Sequence, residues 1–242
     1  MRHHPPRPVI TMLPKERVIY VDRDILVVDK PSGVVSTRDL PGQTDTLQDR
    51  VEDYLRRLKI PGPTWKAVKP VHRLDGGTSG LLLFARHLIA WRELKQVFRV
   101  HAIERRYLGL AHGDVPARTI QSYLAPDRGD HLRGSVRDPG RGKLSITHVR
   151  PLQRLKGATL VECRLETGRT HQIRIHLAES GHPLLGDERY QRDFTGNVIP
   201  APRLCLHAAV LGLAHPRTHR PMLWESPLPE DLQAVVAALS LA

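Results

Sequence analysis

Short apolar and β-branched runs recur along this chain, with a few helical segments between them and no regular strand–helix–strand alternation. Runs of this length and composition are typical of β-strands. Because the order of strands and helices is irregular, the pattern favours an α+β fold over a doubly wound parallel sheet. The predicted strands are residues 17–22, 25–30, 81–85, 106–111, 120–124, 144–150 and 159–165.

Four segments are predicted to be helical: residues 46–58, 87–101, 170–180 and 231–239. Thr46 with Asp49 three residues later is typical of a helix N-terminus. Gly and Pro end two of these helices, at residues 60–63 and 181–183. The Gly- and Arg-rich residues 127–142 are predicted to form an exposed loop. No linker-like stretch divides the chain, so we expect one domain over residues 17–242 after a flexible tail at residues 1–16.

The charge balance indicates a polyanionic partner. Lys and Arg number 37 against 25 Asp and Glu, which gives a net charge of +12. A field of that sign attracts phosphate polymers or anionic membranes. No basic amphipathic helix with a broad apolar face is visible, so nucleic acid is favoured. Arginine supplies 29 of the 37 cations. Its planar fork suits phosphates, although codon bias in a GC-rich genome would give the same excess.

Several other classes of protein are disfavoured. No run approaches the roughly 20 apolar residues of a membrane-spanning helix, and the N-terminus lacks the apolar core of a secretory signal. Two cysteines are too few for a disulfide scaffold or a four-thiolate zinc site. The histidines are not spaced with carboxylates or cysteines as metal ligands would be, so we expect no metal. The cytoplasm is the expected compartment.

The densest motif is the segment around Asp75, which reads His-Arg-Leu-Asp-Gly-Gly-Thr-Ser-Gly over residues 72–80. A carboxylate here lies on a permissive Gly-rich loop that leads into a buried strand, and such loops often carry catalytic groups. The alternative is that Asp75 only caps the turn. A serine-hydrolase elbow fits poorly, because the last glycine is missing and the strand follows the serine.

The second dense motif is Thr-Gly-Arg-Thr-His-Gln-Ile-Arg at residues 167–174. If the helix begins at Thr170, Arg174 projects from its first turns and can meet an anion or an acid from elsewhere in the fold. Arg169 and Arg174 could equally form a salt-bridged helix surface. Tyr107 begins a strand beside Arg105 and Arg106, which suits either base stacking or ordinary half-burial.

Together these segments resemble the RluA-type family of RNA pseudouridine synthases. The resemblance covers about residues 17–228 and five motifs in one order. In this sequence they read VVDKPSG (27–33), HRLDGGTSG (72–80), RRYLGL (105–110, with Arg105 at the usual lysine position), LETGRTHQIRIHLAESGHPLLGD (165–187) and LHAAVLGLAHPRT (206–218).

The resemblance implies an isomerase that converts uridine in structured RNA, ribosomal or transfer, to pseudouridine. It implies one α+β catalytic domain with a mainly antiparallel mixed sheet and a central RNA-binding cleft, without the N-terminal S4 module that many relatives carry. No metal or organic cofactor, membrane or obligate protein partner is implied, and a monomer is expected. The catalytic residues it implies are Asp75, Tyr107 and Arg174. The RNA-binding residues it implies are His72, Arg73, Arg105, Arg106 and Arg169.

Overall fold

The computed structural model of this chain describes residues 10–38, 43–57, 67–129 and 132–240. In these ranges it has eleven strands and four helices. The fold divides into two compact units. Unit 1 contains the described residues up to Val100 together with Ala214–Pro221, and unit 2 contains His101–Leu213 and the residues from Met222 onward. The α+β class predicted from the sequence is confirmed. The predicted division into a tail and one domain stays a prediction.

Unit 1 is built around a small antiparallel sheet. Its strands are β1 (Val18–Val21), β2 (Ile25–Lys30), β3 (Lys69–Pro70) and β4 (Ser79–Ala85). The central strand β4 pairs with β2 from Ile25↔Ala85 to Lys30↔Gly80, and with the two residues of β3. All seven residues of β4 are buried, which explains why its sequence is apolar without alternation. The strands predicted at 17–22, 25–30 and 81–85 are confirmed.

Two helices complete unit 1, α1 (Leu47–Arg57) and α2 (Leu88–Arg99). The predicted capping at Thr46 is present, because the Asp49 carboxylate accepts hydrogen bonds from both the backbone N–H and the hydroxyl of Thr46. The predicted stop at residues 60–63 lies outside the described residues. The N-terminal segment also contacts this unit: Leu13 is buried, and the backbone and hydroxyl of Thr11 donate to Asp45.

Unit 2 is a larger antiparallel sheet. Its strands are β5 (Glu104–His112), β6 (Arg118–Ala125), β7 (Gly134–Val136), β8 (Lys143–Leu155), β9 (Ala158–Leu165), β10 (Leu206–Ala214) and β11 (Pro221–Glu225). The strand order is β10-β5-β9-β8-β6-β7, and β11 pairs with β10. Four strands predicted from the sequence are confirmed, and β7, β10 and β11 were not anticipated.

The expectation of a plain loop at residues 127–142 was wrong in part. The strand β7 pairs with β6 from Tyr123↔Val136 to Ala125↔Gly134, and Pro139–Arg141 forms one turn of 3₁₀ helix. The reason is that backbone pairing to an edge strand needs no apolar pattern in a short partner. Arg137 and Arg141 remain exposed.

Two helices belong to unit 2, α3 (Gln172–Glu179) and α4 (Glu230–Leu239). The first packs on β8, where Gln172 Nε2 donates to the Ile146 carbonyl and to the Thr147 hydroxyl, both at 2.9 Å. The second buries Leu232 in a cluster with Leu110 and Leu155. Both helices were predicted from the sequence within two residues at each end. The longest helix among the described residues has 12 residues, and none could cross a membrane.

Candidate active site

Asp75 lies in unit 1 on the loop of residues 71–78, which we call the Asp75 loop. The loop connects β3 to the buried strand β4. The Asp75 side chain is half-buried. The backbone carbonyl of Asp75 accepts the turn hydrogen bond from Thr78 N at 3.1 Å. The turn is therefore closed by the backbone at this position, as in many β-turns, and this bond does not use the carboxylate.

A buried lysine holds this loop. Lys30, the last residue of β2, is fully buried, and its Nζ donates to three backbone carbonyls. These are Pro31 at 3.0 Å, Val34 at 2.7 Å and Gly76 at 3.1 Å, the last in the Asp75 loop. An ammonium group has three donors, so this arrangement satisfies all of them without water. The lysine therefore fixes the residue next to Asp75 against the end of β2.

The segment after Lys30 adds four further hydrogen bonds to the same loop. Ser32 Oγ donates to the Gly77 carbonyl at 2.8 Å, and Gly33 N donates to the Gly76 carbonyl at 2.8 Å. Ser36 Oγ donates to the Leu74 carbonyl and accepts from Leu74 N, at 2.7 and 3.1 Å. The segment that begins with the Lys-Pro-Ser-Gly motif is thus hydrogen-bonded to the Asp75 loop. These bonds support the backbone on both sides of the aspartate.

His72 and Arg73, predicted to bind RNA, lie in this loop. The Nε2 atom of His72 accepts from Leu83 N at 3.1 Å, and its ring stacks on Phe98 with centroids 5.0 Å apart. Because Nε2 accepts, the proton of the neutral ring is assigned to Nδ1. The ring of His72 therefore helps to anchor the loop to unit 1. Arg73 is exposed.

Tyr107 lies in unit 2 on β5 and is 8% exposed. Its partner across the sheet is Cys163 on β9, which in turn faces Val149 on β8. Residues two apart on a strand share a face, so Tyr107 lies on the same face of the sheet as Thr147, to which α3 is bonded. The structure thus brings Tyr107 to the sheet face that carries α3 and Arg174.

Arg105 shares this face and is buried. Its Nη2 donates to the Glu166 carbonyl at 3.2 Å, and a Cβ on Gly168 would overlap its guanidinium. Burial lowers the pKa of Arg105; Tyr107 raises it and nearby Arg169 lowers it further. A side chain at residue 168 would therefore force the end of the Arg105 side chain to shift.

The structure places the other two predicted RNA-binding arginines differently. Arg106 is on the opposite face of β5, where its side chain pairs with Glu104 at 2.9 Å and lies 3.5 Å from Glu162. Arg169 is exposed just before α3, and its Nε donates to the Leu144 carbonyl at 3.2 Å. Arg106 is thus separated from Tyr107 by the sheet.

Arg174 is on α3 and is bound by an acid of its own unit. Its Nε and Nη2 donate to the two carboxylate oxygens of Asp187 at 2.7 and 2.8 Å. The ring of Tyr190 lies against the guanidinium, with Arg174 Cζ 5.1 Å from the ring centroid. Neither partner was predicted from the sequence. Asp187 follows Arg174 by 13 residues, and the chain turns after α3 so that the Asp187 carboxylate lies against the Arg174 guanidinium.

A buried polar chain fixes α3 to the sheet. His176 is 1% exposed, and its two ring nitrogens bond Thr147 Oγ1 at 2.9 Å and Ser122 Oγ at 3.0 Å. Burial lowers the pKa of His176 to about 4, below the 6.5 of an ordinary histidine. The folded state thus disfavours the proton. The contribution of this histidine to stability is complete above pH 6.5 and is lost as the pH falls from 6.5 towards 4.

A cluster of two acids and two histidines lies in unit 1. His215 Nε2 bonds Asp22 at 2.9 Å, and His87 Nε2 bonds Asp24 at 2.9 Å. In both rings Nδ1 accepts backbone N–H groups, of Arg217 and Thr218 for His215 and of Ala90 for His87. The protons of the neutral rings are therefore assigned to the nitrogens that face the carboxylates, and each ring donates a hydrogen bond to its acid.

Comparison with known proteins identifies relatives over most of the chain. A family model described as RNA pseudouridylate synthase matches residues 24–179. The chain is 38% identical over 230 residues to an uncharacterized RNA pseudouridine synthase, YlyB, of Bacillus subtilis, which covers 92% of this chain and 72% of that protein. It is 35% identical over 233 residues to ribosomal large subunit pseudouridine synthase D of Zymomonas mobilis, covering 93% and 73%.

Solved structures show the same fold. Human RNA pseudouridylate synthase domain containing 4 has a TM-score of 0.72 at 20% identity, with 90% of each chain covered. Human RNA pseudouridylate synthase domain containing 1 has a TM-score of 0.69 at 27% identity, with 92% of this chain and 87% of that chain covered.

Proposed function

Because this chain belongs to the RNA pseudouridylate synthase family, we propose that Asp75 is the carboxylate that isomerises uridine to pseudouridine. The proposal is carried by one observation. The half-buried Asp75 stands on a loop that Lys30 and the segment after it hold by hydrogen bonds, while the turn itself is closed by the Asp75 backbone carbonyl. Such support suits a group that must be held in one position for chemistry.

The reaction breaks the bond from ribose C1′ to uracil N1 and forms a bond from C1′ to C5. The proton leaves C5, and N1 gains one, so no oxidant, reductant or second substrate is consumed. One carboxylate can serve either as a nucleophile at C1′ or as a base on the ribose. The target uridine must leave its base stack to reach such a group.

The remaining residues have supporting roles. Tyr107 packs against the target base, since its aromatic ring is held on the sheet face that carries α3. Arg174 pairs with an anion of the bound RNA, a phosphate. The RNA backbone is bound by cations of the net positive chain. The cations are Arg73, Arg105, Arg106 and Arg169, of which the exposed Arg73 and Arg169 are the best placed to meet solvent-side phosphates. The neutral His72 contributes to RNA binding by anchoring the loop that carries Arg73.

We propose ribosomal RNA as the substrate, because the Zymomonas mobilis relative carries that substrate in its name. Transfer RNA is the alternative. Mapping pseudouridine in both RNAs from a strain that lacks the gene, against its parent, decides between them. A missing site in transfer RNA alone would overturn the ribosomal assignment.

We further propose a cytoplasmic monomer that uses no metal or organic cofactor. Light scattering of the purified protein tests the oligomeric state. The assay below, run with excess EDTA on an RNA whose fold does not need magnesium, tests the metal. Complete loss of activity that zinc restores would refute the metal-free reaction.

The substitution Asp75→Asn tests the catalytic assignment. Asparagine keeps the shape and caps turns about as well as aspartate, but it is a poor nucleophile and a poor base. We expect the rate to fall by about 10³-fold or more, with little change in thermal stability or RNA affinity. The measurement is single-turnover release of tritium from RNA labelled at uridine C5, with filter binding and thermal melting alongside.

The exposed Asp114, which pairs with Arg154 at 3.0 Å, supplies the control Asp114→Asn. This variant should keep the rate of the parent. If Asp75→Asn retained substantial turnover and only melted at a lower temperature, Asp75 would be a structural turn residue.

A further inference from the structure

The contact between Arg174 and Asp187 fixes the plane of the guanidinium. The bond is bidentate, with Nε to Oδ2 at 2.7 Å and Nη2 to Oδ1 at 2.8 Å. The Arg174 side chain is 12% exposed and that of Asp187 is 0% exposed. Two parallel charge-assisted bonds define orientation as well as position. They occupy one edge of the guanidinium, so its other N–H groups point away from Asp187.

Asp187 is itself held in place by its turn. Its Oδ1 also accepts the backbone N–H groups of Arg189 and Tyr190, each at 3.2 Å, and its own N–H donates to the Leu184 carbonyl at 3.2 Å. The preceding Gly186 has φ +70°, and a Cβ there would overlap the Arg203 carbonyl. The carboxylate therefore sits on a turn whose observed backbone requires glycine at residue 186.

Tyr190 holds the face of the same guanidinium. Its ring is 7% exposed and lies 5.1 Å from Arg174 Cζ, a cation–π distance. Its hydroxyl bonds His171 Nδ1 at 2.8 Å. His171 is the residue before α3 and adopts a left-handed backbone with φ +59°, a conformation that costs a residue with a Cβ some strain. Arg174 is thus fixed at an edge by Asp187 and on a face by Tyr190.

We infer that Asp187 and Tyr190 are positioning residues for the isomerisation and hold Arg174 in the orientation that the reaction needs. This inference rests on the proposed role of Arg174. A free arginine side chain has many rotamers, and these contacts restrict them before RNA binds. Displacement of a reacting or positioning group by about 1 Å can lower a rate by about 10²-fold.

The test compares Asp187→Asn with a matched ion pair in the same unit. Asp231 accepts Nε and Nη2 of Arg203 at 2.6 and 3.0 Å, the same bidentate geometry at the start of α4. Asp231→Asn therefore breaks a pair of the same bidentate geometry, with a more exposed acid, that has no part in the proposed reaction. The readouts are the single-turnover tritium-release rate, the RNA dissociation constant and the melting temperature, for both variants and for Arg174→Ala.

We expect Asp187→Asn to lower the rate by about 10²-fold, while RNA affinity changes by less than about threefold. Asp231→Asn should keep the rate of the parent at any temperature where it is folded. An Asp187→Asn rate close to that of Asp231→Asn, with Arg174→Ala inactive, would overturn the inference alone. A fully active Arg174→Ala would overturn the proposed role of Arg174 as well.

If Asp187→Asn does not fold, Tyr190→Leu decides the question, because it leaves the ion pair intact and removes the ring over the guanidinium together with the hydroxyl that bonds His171. We expect its rate to fall by about tenfold, with Tyr190→Phe, which keeps the ring, recovering most of the loss. Equal rates for the parent and Tyr190→Leu would overturn the inference.

Discussion

Replacing Lys30 by methionine tests whether the buried ammonium group holds the Asp75 loop. Methionine has a similar volume and no donor, so it fills the space and leaves the three carbonyl oxygens of Pro31, Val34 and Gly76 without this partner. The Gly76 carbonyl keeps a second donor, Gly33 N at 2.8 Å. The change thus removes hydrogen bonds without opening a large cavity.

The expected loss follows from two opposing terms. Three hydrogen bonds from a charged donor contribute about 1.5–3 kcal/mol each. Against this loss, the variant does not bury an ammonium ion, and burying that ion costs the parent several kcal/mol. We therefore expect the free energy of unfolding to fall by about 2–5 kcal/mol, out of the roughly 5–15 kcal/mol that is typical of a folded domain. We also expect the reaction rate of the folded variant to fall by about tenfold or more, because the loop loses one anchor next to Asp75.

Urea unfolding followed by circular dichroism gives the stability, and single-turnover tritium release gives the rate. Lys95→Met is the control, since Lys95 is exposed and its Nζ donates to only one carbonyl of this loop, that of its first residue Val71 at 3.3 Å. This control should change stability by no more than about 0.5 kcal/mol. If Lys30→Met were within about 1 kcal/mol of the parent and equally active, the reasoning from its three bonds would be refuted.

Three further outcomes are expected. The free energy of unfolding should fall by up to about 3 kcal/mol between pH 6.5 and pH 4, because His176 is protonated more readily in the unfolded chain. In urea titrations His176→Gln should weaken this pH dependence, and His219→Asn, at an exposed histidine, should leave it unchanged. Burial raises the pKa of both Cys163 and Cys205 to about 12, so neither thiol should react with a thiol reagent at pH 8 until the protein unfolds, and rapid labelling of the native protein would contradict this. RNA affinity should fall steeply with salt, and joint replacement of Arg133, Arg137 and Arg141 should make this dependence weaker. The slope of log affinity against log salt concentration should flatten by about 0.7–0.9 for each phosphate that is no longer bound. An unchanged slope would show that these three arginines do not bind RNA.

The strands and helices with a clear pattern could be predicted from the sequence because their neighbours along the chain determine them. The capping pair at Thr46 and the apolar run of β4 are of this kind. The strand β10 was missed because it is apolar almost throughout, and a continuous apolar run has no period that separates a strand from a helix. The strand β7 was missed because it is only three residues long and lies in a Gly- and Arg-rich segment, whose composition is typical of a loop.

The site shows the same division. The motif around Asp75 could be identified from residue types, but the function of Lys30 could not, because its partner Gly76 is 46 residues away in the sequence. A lysine at the end of a strand is ordinarily exposed, and only the fold shows that this one is buried. Asp187 and Tyr190 could not be predicted for a similar reason, since nothing local to α3 indicates which acid will face Arg174.

The two carboxylates of the β1–β2 hairpin have consequences for synthesis of this chain on the ribosome. Asp22 bonds His215, and Asp24 bonds Arg217, each across 193 residues. At about 5–20 residues per second, the hairpin waits roughly 10–40 s for these partners to be made. Unit 1 therefore cannot complete its folding until the Ala214–Pro221 segment has been synthesised. We expect nascent chains halted before Ala214 to expose this hairpin to proteases and chaperones. Once the Ala214–Pro221 segment has left the ribosome, we expect the hairpin to be protected.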